Sequence, residues 1–269
     1  MKHDTLDTLP TLSVVIMHLN DSESIVHTLE SIKEIADEII ILDGGSHKYH
    51  IDNICEFMND DSRMHIITHR WKGIDGLQRN NYLQYPSKDW VLVIDSDEVL
   101  SDNSFMLKEL AHNIEKQLEQ GVNAPICFDV HMIHFIYNFA LIDATVEKHF
   151  VPRRFWKRVP GLWYPLTKHN VLQGIPEDRV AQTEEVTMFH YSHTKGMGKI
   201  MEKYRDGLKR SNTQDPKWFK WWKDNLLNGE YEVKPFTGIH PWPIRKVLEE
   251  DPTKDIGMWK VISDQYGGV

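Results

Sequence analysis

Cysteine is nearly absent from this chain, with Cys55 and Cys127 the two examples in 269 residues. Two thiols cannot build a disulfide framework, and without a Cys-x-x-Cys pair a reducing compartment is the default. An excess of positive charge is also missing. Lys and Arg number 31 against 40 Asp and Glu, for a formal charge of −9, which argues against a nucleic-acid partner. Long apolar runs are lacking too. The opening stretch MKHDTLDTLPTLSVVIMHLN has an apolar core of at most five residues, too short for a signal peptide or a membrane span. Repeats and low-complexity tracts do not occur. What remains is ordinary globular composition, 41% hydrophobic and 26% charged, enough for one large domain or two small ones. The expectation is a soluble, cytoplasmic protein.

The first hundred residues alternate between two patterns. LSVVIMHLN (12–20), EIIILD (38–43), RMHIITH (63–69) and WVLVID (90–95) are short, continuous apolar runs, as in strands covered on both faces. Between them, Ile25, Leu29, Ile32 and Ala36 follow a helical period and place a helix over 22–35. Asn20 and Asp21 suit its N-cap, and Glu23, three residues past Asn20, suggests a capping box. Ile51, Ile54, Cys55 and Met58 make a second helical face. Strands separated by helices imply βαβ units in a mostly parallel α/β sheet, whose ligands bind at the carboxyl ends of the strands. Farther on, 101–120 reads as a helix, PICFDVHMIHFI as a strand, RRFWKR and VTMFHYSH as short strands, and 194–210 as a helix. The last sixty residues suggest an appended helical segment.

The fourth strand ends in Asp95, Asp97 and Glu98. Acids crowded at the end of a buried strand repel one another and resist desolvation, so a cation is the simplest compensation. Asp95 and Asp97, two apart in extended backbone, project to one side and could face one ion together. The bland alternative is a solvated turn. Asp43 ends the second strand in the same region.

LSVVIMHLN, ADEIIILDGGS, GLQRNNYL and DWVLVIDSDEVLSD, in this order and spacing, resemble glycosyltransferase family 2, and specifically its lipopolysaccharide-core glucosyltransferase branch. RRFWKR and HYSH resemble later segments of that branch. The resemblance implies a GT-A (Rossmann-like) fold over 1–210, with a nucleotide-binding half (1–100), an acceptor half (101–210) and an aromatic-rich helical extension (211–269). It implies a metal-dependent, inverting transfer of a sugar from a UDP- or GDP-sugar to a glycan or glycolipid hydroxyl.

It also implies roles. Asp97 would ligate Mn²⁺ or Mg²⁺, Asp95 would contact the donor ribose or join the metal shell, and His190 would complete that shell. Hard oxygen ligands suit these ions. Asp43 would read the base, although Gly44 stands where the family commonly has a second acid. His18, Gln78 and Arg79 would contact the nucleotide, and Arg154, beside Arg153, would grip the diphosphate; ion pairing on an edge strand is the alternative for these arginines. His190 and His193 also have the spacing of a zinc pair, but no further ligands cluster nearby. The branch's base is a His-Glu pair, and here Asn170 follows His169. His169 is the expected base, with Asp143, Glu147, Glu177 and Asp178 as alternatives.

Two competing readings stand. A non-catalytic nucleotide-sugar-binding protein is suggested by Asn170. A sugar nucleotidyltransferase is disfavoured, because HLNDSESI lacks the glycine-rich loop such enzymes carry after the first strand. Trp218, Trp222 and Leu226 share a helical face with Lys217, Lys220 and Lys223 around it. That suggests a helix resting on a membrane surface, an aromatic platform for acceptor sugars, or a helix packed on the main domain.

Overall fold

The computed structural model describes residues 9–59, 61–144, 152–166, 171–194 and 232–255. The element order begins β1 (Leu12–His18), α1 (Ser22–Ile32), β2 (Glu38–Asp43), α2 (Lys48–Met58), β3 (Met64–Thr68), α3 (Asp75–Tyr82), β4 (Trp90–Asp95) and β5 (Glu98–Leu100). It continues with α4 (Met106–Glu119), β6 (Cys127–Ile136), β7 (Leu141–Asp143), β8 (Arg153–Lys157), β9 (Val180–His193), β10 (Val233–Pro235) and α5 (Trp242–Glu250).

Strands β3, β2, β1 and β4 lie side by side and parallel. Successive side chains on a strand face opposite ways, and the two sides of this sheet bury separate cores. Val14, Ile16, Ile39, Ile41, Leu92 and Ile94 pack with Leu29 of α1, Ile54 of α2 and Leu107 of α4. Val15, Ile40, Leu42, Val91 and Val93 face the other way, onto Tyr82 of α3 and onto Tyr164, Leu172 and Ile175. Burial on both faces is why these strands read as unbroken apolar runs. The mostly parallel α/β sheet expected from them is present.

Past β4 the sheet continues with antiparallel pairings, β4 to β8 and β8 to β6. β9 runs parallel to β6 and antiparallel to β5. This second half carries its own cluster, in which Phe135, Phe189 and Tyr191 pack with Ile244 of α5. β10 pairs antiparallel with β7, so residues 233–235 extend the same sheet.

Three local expectations are corrected. The capping box does not form: α1 starts after Asp21, whose side chain makes no cap hydrogen bond. Asn20 instead takes left-handed backbone (φ 52°), and its side-chain oxygen accepts the His47 N–H. The helix read from 101 starts at Met106, because Ser101–Phe105 form tight turns, with Ser104 N–H on Ser101 O and Met106 N–H on Asn103 O. Cys55, assigned to the buried face of α2, is exposed, and His50 is buried there instead. The helix expected over 194–210 and the tryptophan-bearing helix at 217–226 lie outside the described residues, apart from Thr194. No helix among the described residues is long and apolar enough to cross a membrane.

Candidate functional site

The carboxyl ends of β1, β2 and β4 come together, and the acids at those ends meet two different environments. Asp43, on β2, is 2% exposed and faces its own chain. Gly45 N–H (2.9 Å) and Ser46 N–H (3.1 Å) donate to it, and His18 Nδ1 lies 3.4 Å away. The turn can fold back this way because Gly45 holds φ +96°, where a side chain would be strained. Burial alone would raise the Asp43 pKa, but the bonds from His18, Ser46 and Gly45 outweigh it and bring it down to about 2. His18 is fixed as well. Its Nε2 accepts the Asp21 N–H at 3.2 Å, so a neutral ring carries its proton on Nδ1, towards Asp43 and Ser46. The expected base-reading acid thus already has local partners, with lone-pair capacity left on its oxygens.

The β4 acids form a second cluster. Asp95 is held by two guanidinium groups: Arg79 Nη2 at 3.2 Å and Arg154 Nη2 at 3.0 Å. Arg154 Nη2 also lies 2.6 Å from Glu98 Oε1, and Glu98 Oε2 accepts the Asp95 N–H at 2.7 Å. Asp95 has its pKa lowered: burial opposes this, and the charges of Arg154 and Arg79 prevail. Glu98 goes the other way, up to about 7, driven by burial against the pull of Arg154 and reinforced by Asp95. The opening problem of crowded acids is therefore met in part by the chain's own arginines.

Arg154 is buried, and its Nε–H has no hydrogen-bond partner. An unsatisfied guanidinium donor is costly to bury, and an anion would satisfy it. Arg79 lies with its guanidinium carbon 5.9 Å from the centre of the Tyr164 ring. Asn80 fixes that ring's backbone, donating to Tyr164 O (2.8 Å) and accepting from Tyr164 N (2.7 Å).

Arg153, adjacent in sequence, lies on the other face of β8. It pairs with Glu177 at 2.6 Å and stands 3.6 Å from Asp129, apart from the acid cluster. Gln78 is buried, its amide donating to the His69 carbonyl at 3.0 Å, which makes it a brace for the loop before α3.

Asp97 lies beyond Asp95, with His190 Nε2 3.6 Å from its Oδ1. Register explains the meeting: Glu98 on β5 and His134 on β6 are both directly opposite His190 on β9. The two histidines touch through their Nδ1 atoms at 2.9 Å. Burial, then the neighbouring His190, His193 and Arg154, keeps the His134 pKa well below its ordinary value. His193 is edge-on to His190 at 6.1 Å.

Among the described residues, no group of three or more His, Cys, Asp or Glu side chains is arranged to hold a metal ion. Asp95 is turned to its arginines. Asp97 and His190 do fit a smaller role. Their 3.6 Å separation is too long for a hydrogen bond and suits two donors sharing one ion at ~2.1 Å each. Mg²⁺ is ordinarily held by one or two carboxylates, a role Asp97 fits, and completes its shell with substrate phosphates and water.

Of the acid/base candidates, His169 and Glu147, with Asn170, lie outside the described residues. Glu177 is committed to Arg153, Asp178 accepts from Asn123 at 3.2 Å, and Asp143 is buried on β7. Sequence reading assigned no role to Glu98, His134 or Tyr164. Their signals, two histidines in DVHMIHFI and a tyrosine in GLWY, gain meaning only from strand register and loop docking.

Residues 13–130 match the model of a family described as Glycosyl transferase family 2. The SPbeta prophage-derived glycosyltransferase SunS of Bacillus subtilis (strain 168) is 31% identical over 108 residues, 39% of this chain and 25% of that protein. Glycosyltransferase SunS of Bacillus phage SPbeta matches to the same extent. The matched stretch thus spans about a quarter of the length of these relatives. Among solved structures, S. aureus TarS 1-349 is similar at a TM-score of 0.48 and 14% identity, over 80% of this chain and 69% of that one. The same TarS fragment in complex with UDP-GlcNAc gives 0.47 and 15%, over 66% and 58%. The parallel β3-β2-β1-β4 core lies within the matched span and agrees with the expected GT-A fold. The similarity to glycosyl transferase family 2 thus lies in residues 13–130, less than half of this chain.

Proposed function

We propose that this chain transfers a sugar from a nucleoside diphosphate sugar, of the UDP or GDP class, to a hydroxyl on a glycan or glycolipid, with inversion. The observation that supports this best is the meeting of Arg79, Arg154, Asp95, Asp97 and His190 at the carboxyl end of β4, a strand within the span similar to family 2. A diphosphate leaving group needs positive charge where it departs. Arg154, with its unsatisfied Nε–H, and Arg79, on its Tyr164 platform, are suited to bind phosphate oxygens. Asp97 and His190 would hold Mn²⁺ or Mg²⁺ together with the donor. A divalent ion there supplies Lewis-acid stabilisation of the leaving diphosphate. Asp95 orients both arginines, and exchange of a carboxylate for a phosphate on Arg79 would free it for the ribose or a metal-bound water. Asp43 and His18 shape the base end of the cleft.

The acceptor hydroxyl attacks the anomeric carbon on the face opposite the leaving group and gives its proton to a base, for which His169 is our assignment. The acceptor class and the lipopolysaccharide-core assignment rest on the sequence resemblance; a cytoplasmic location and a peripheral membrane contact through the tryptophan-rich segment of 211–269 rest on composition and helical pattern. Against a nucleotidyltransferase stands the β1–α1 turn, built on left-handed Asn20 rather than on glycines.

The test is turnover. The protein is incubated with a panel of UDP- and GDP-sugars, with Mn²⁺, Mg²⁺ or EDTA, and released nucleoside diphosphate is measured. Metal-dependent release from one donor, lost in Asp97→Asn, is expected. Binding of a nucleotide sugar without any release, hydrolysis included, would support a non-catalytic binding protein instead.

A further inference from the structure

We propose that His134 is a positioning residue that sets the tautomer of His190, turning the Nε2 lone pair of His190 towards Asp97 so that the two side chains form one cation seat. This rests on the donor-site reading above. The geometry requires a choice. The Nδ1 atoms of His134 and His190 are 2.9 Å apart, so a single proton lies between them and one ring must accept. If His134 donates, a neutral His190 carries its proton on Nε2, facing the Asp97 carboxylate 3.6 Å away, and cannot ligate. If His190 donates from Nδ1, its Nε2 is left with a lone pair on the Asp97 side. A metal-binding imidazole ordinarily has its other ring nitrogen fixed as a donor by an acceptor behind it. His134 stands in that place. It is 9% exposed and directly opposite His190 in the β6–β9 register. His190 has two further neighbours: His193, edge-on with ring centres 6.1 Å apart, and Glu98, its register partner on β5.

Two measurements test this. In ¹⁵N-labelled protein with MgCl₂ and UDP or GDP, long-range ¹H–¹⁵N correlations should show His190 protonated on Nδ1. A proton on Nε2 in that state overturns the proposal without any variant. Second, Mn²⁺ binding in the presence of UDP or GDP is followed by the loss of the free-ion EPR signal. His134→Phe, which keeps a ring and removes the acceptor, should weaken Mn²⁺ binding roughly tenfold or more. His134→Asn, which restores an acceptor oxygen, should stay within about threefold of wild type by the same logic. Equal Mn²⁺ affinity in wild type and His134→Phe overturns the inference alone. A wild-type protein that takes up no Mn²⁺ with either nucleotide overturns it together with the donor-site reading. If His134→Phe does not fold, the ¹⁵N measurement and the Asn variant still decide, since weak binding in a folded Asn variant contradicts rescue.

Discussion

Arg154 Nη2 on β8 lies 3.0 Å from Asp95 Oδ2 at the end of β4. The contact ties the antiparallel half of the sheet to the parallel half at the point where ligands bind in such sheets. It also gives the strand-end acids a resident positive charge, shared with Glu98.

Removing that charge leaves the buried Glu98 without its guanidinium partner and the part-buried Asp95 with Arg79 alone. Arg154→Met should therefore destabilise the protein by ~3–5 kcal/mol, the usual cost of stripping one partner from a buried pair. Urea unfolding at neutral pH measures this. A loss below about 1 kcal/mol, the range of an exposed pair, would mean that the acids are solvated or protonated rather than paired.

Asp43 gives a pH signature. Its folded pKa is about 2, below its ordinary value of 3.8. A carboxyl with a depressed folded pKa stabilises the fold fully above its unfolded pKa, and the contribution disappears as pH falls through 4 towards 2. The difference of nearly two units corresponds to about 2 kcal/mol. In Asp43→Asn, the stability deficit relative to wild type should be larger at pH 6 than at pH 2.5 by roughly 1.5 kcal/mol, because part of the folded carboxyl is still ionised at pH 2.5. A deficit that does not change with pH would contradict the bonds from His18, Ser46 and Gly45.

Asn80 is expected to matter through Tyr164. In Asn80→Ala, the Tyr164 N–H and C=O lose both side-chain partners, at a cost of ~1–3 kcal/mol. The Arg79 guanidinium also loses its fixed platform, so nucleotide affinity should fall more than in Asn81→Ala on the same helix. Equal affinity in both variants would show that Tyr164 does not position Arg79.

The parallel core was legible because β1, β2 and β4 are apolar on both faces, and only a doubly covered strand can be so. Helix ends were less legible. Asn20 is a favourable cap residue, yet its side chain bonds to His47, 27 positions away, a partner that local pattern does not reveal. Ser101 to Phe105 carry cap and turn signals together, and only packing shows that the turns win. Within the site, the aspartates were legible from their place at strand ends. Arg153 and Arg154 were not separable until β8 was placed, since neighbouring strand residues face opposite ways. The His134–His190 contact joins residues 56 apart and depends on the register of β6 with β9, which one sequence does not contain.

The central claim is that the Asp97 end of β4 binds a nucleoside diphosphate with a divalent cation. Calorimetric titration of UDP and of GDP into the protein, with and without Mn²⁺, tests it most directly, with thermal unfolding as a parallel readout. One nucleotide should bind in a Mn²⁺-dependent manner, adding ~2.7 kcal/mol of stability at a hundred times its Kd, and Asp97→Asn should lose the Mn²⁺ dependence. Binding of neither nucleotide, or Mn²⁺-dependent binding that persists in Asp97→Asn, would contradict the claim.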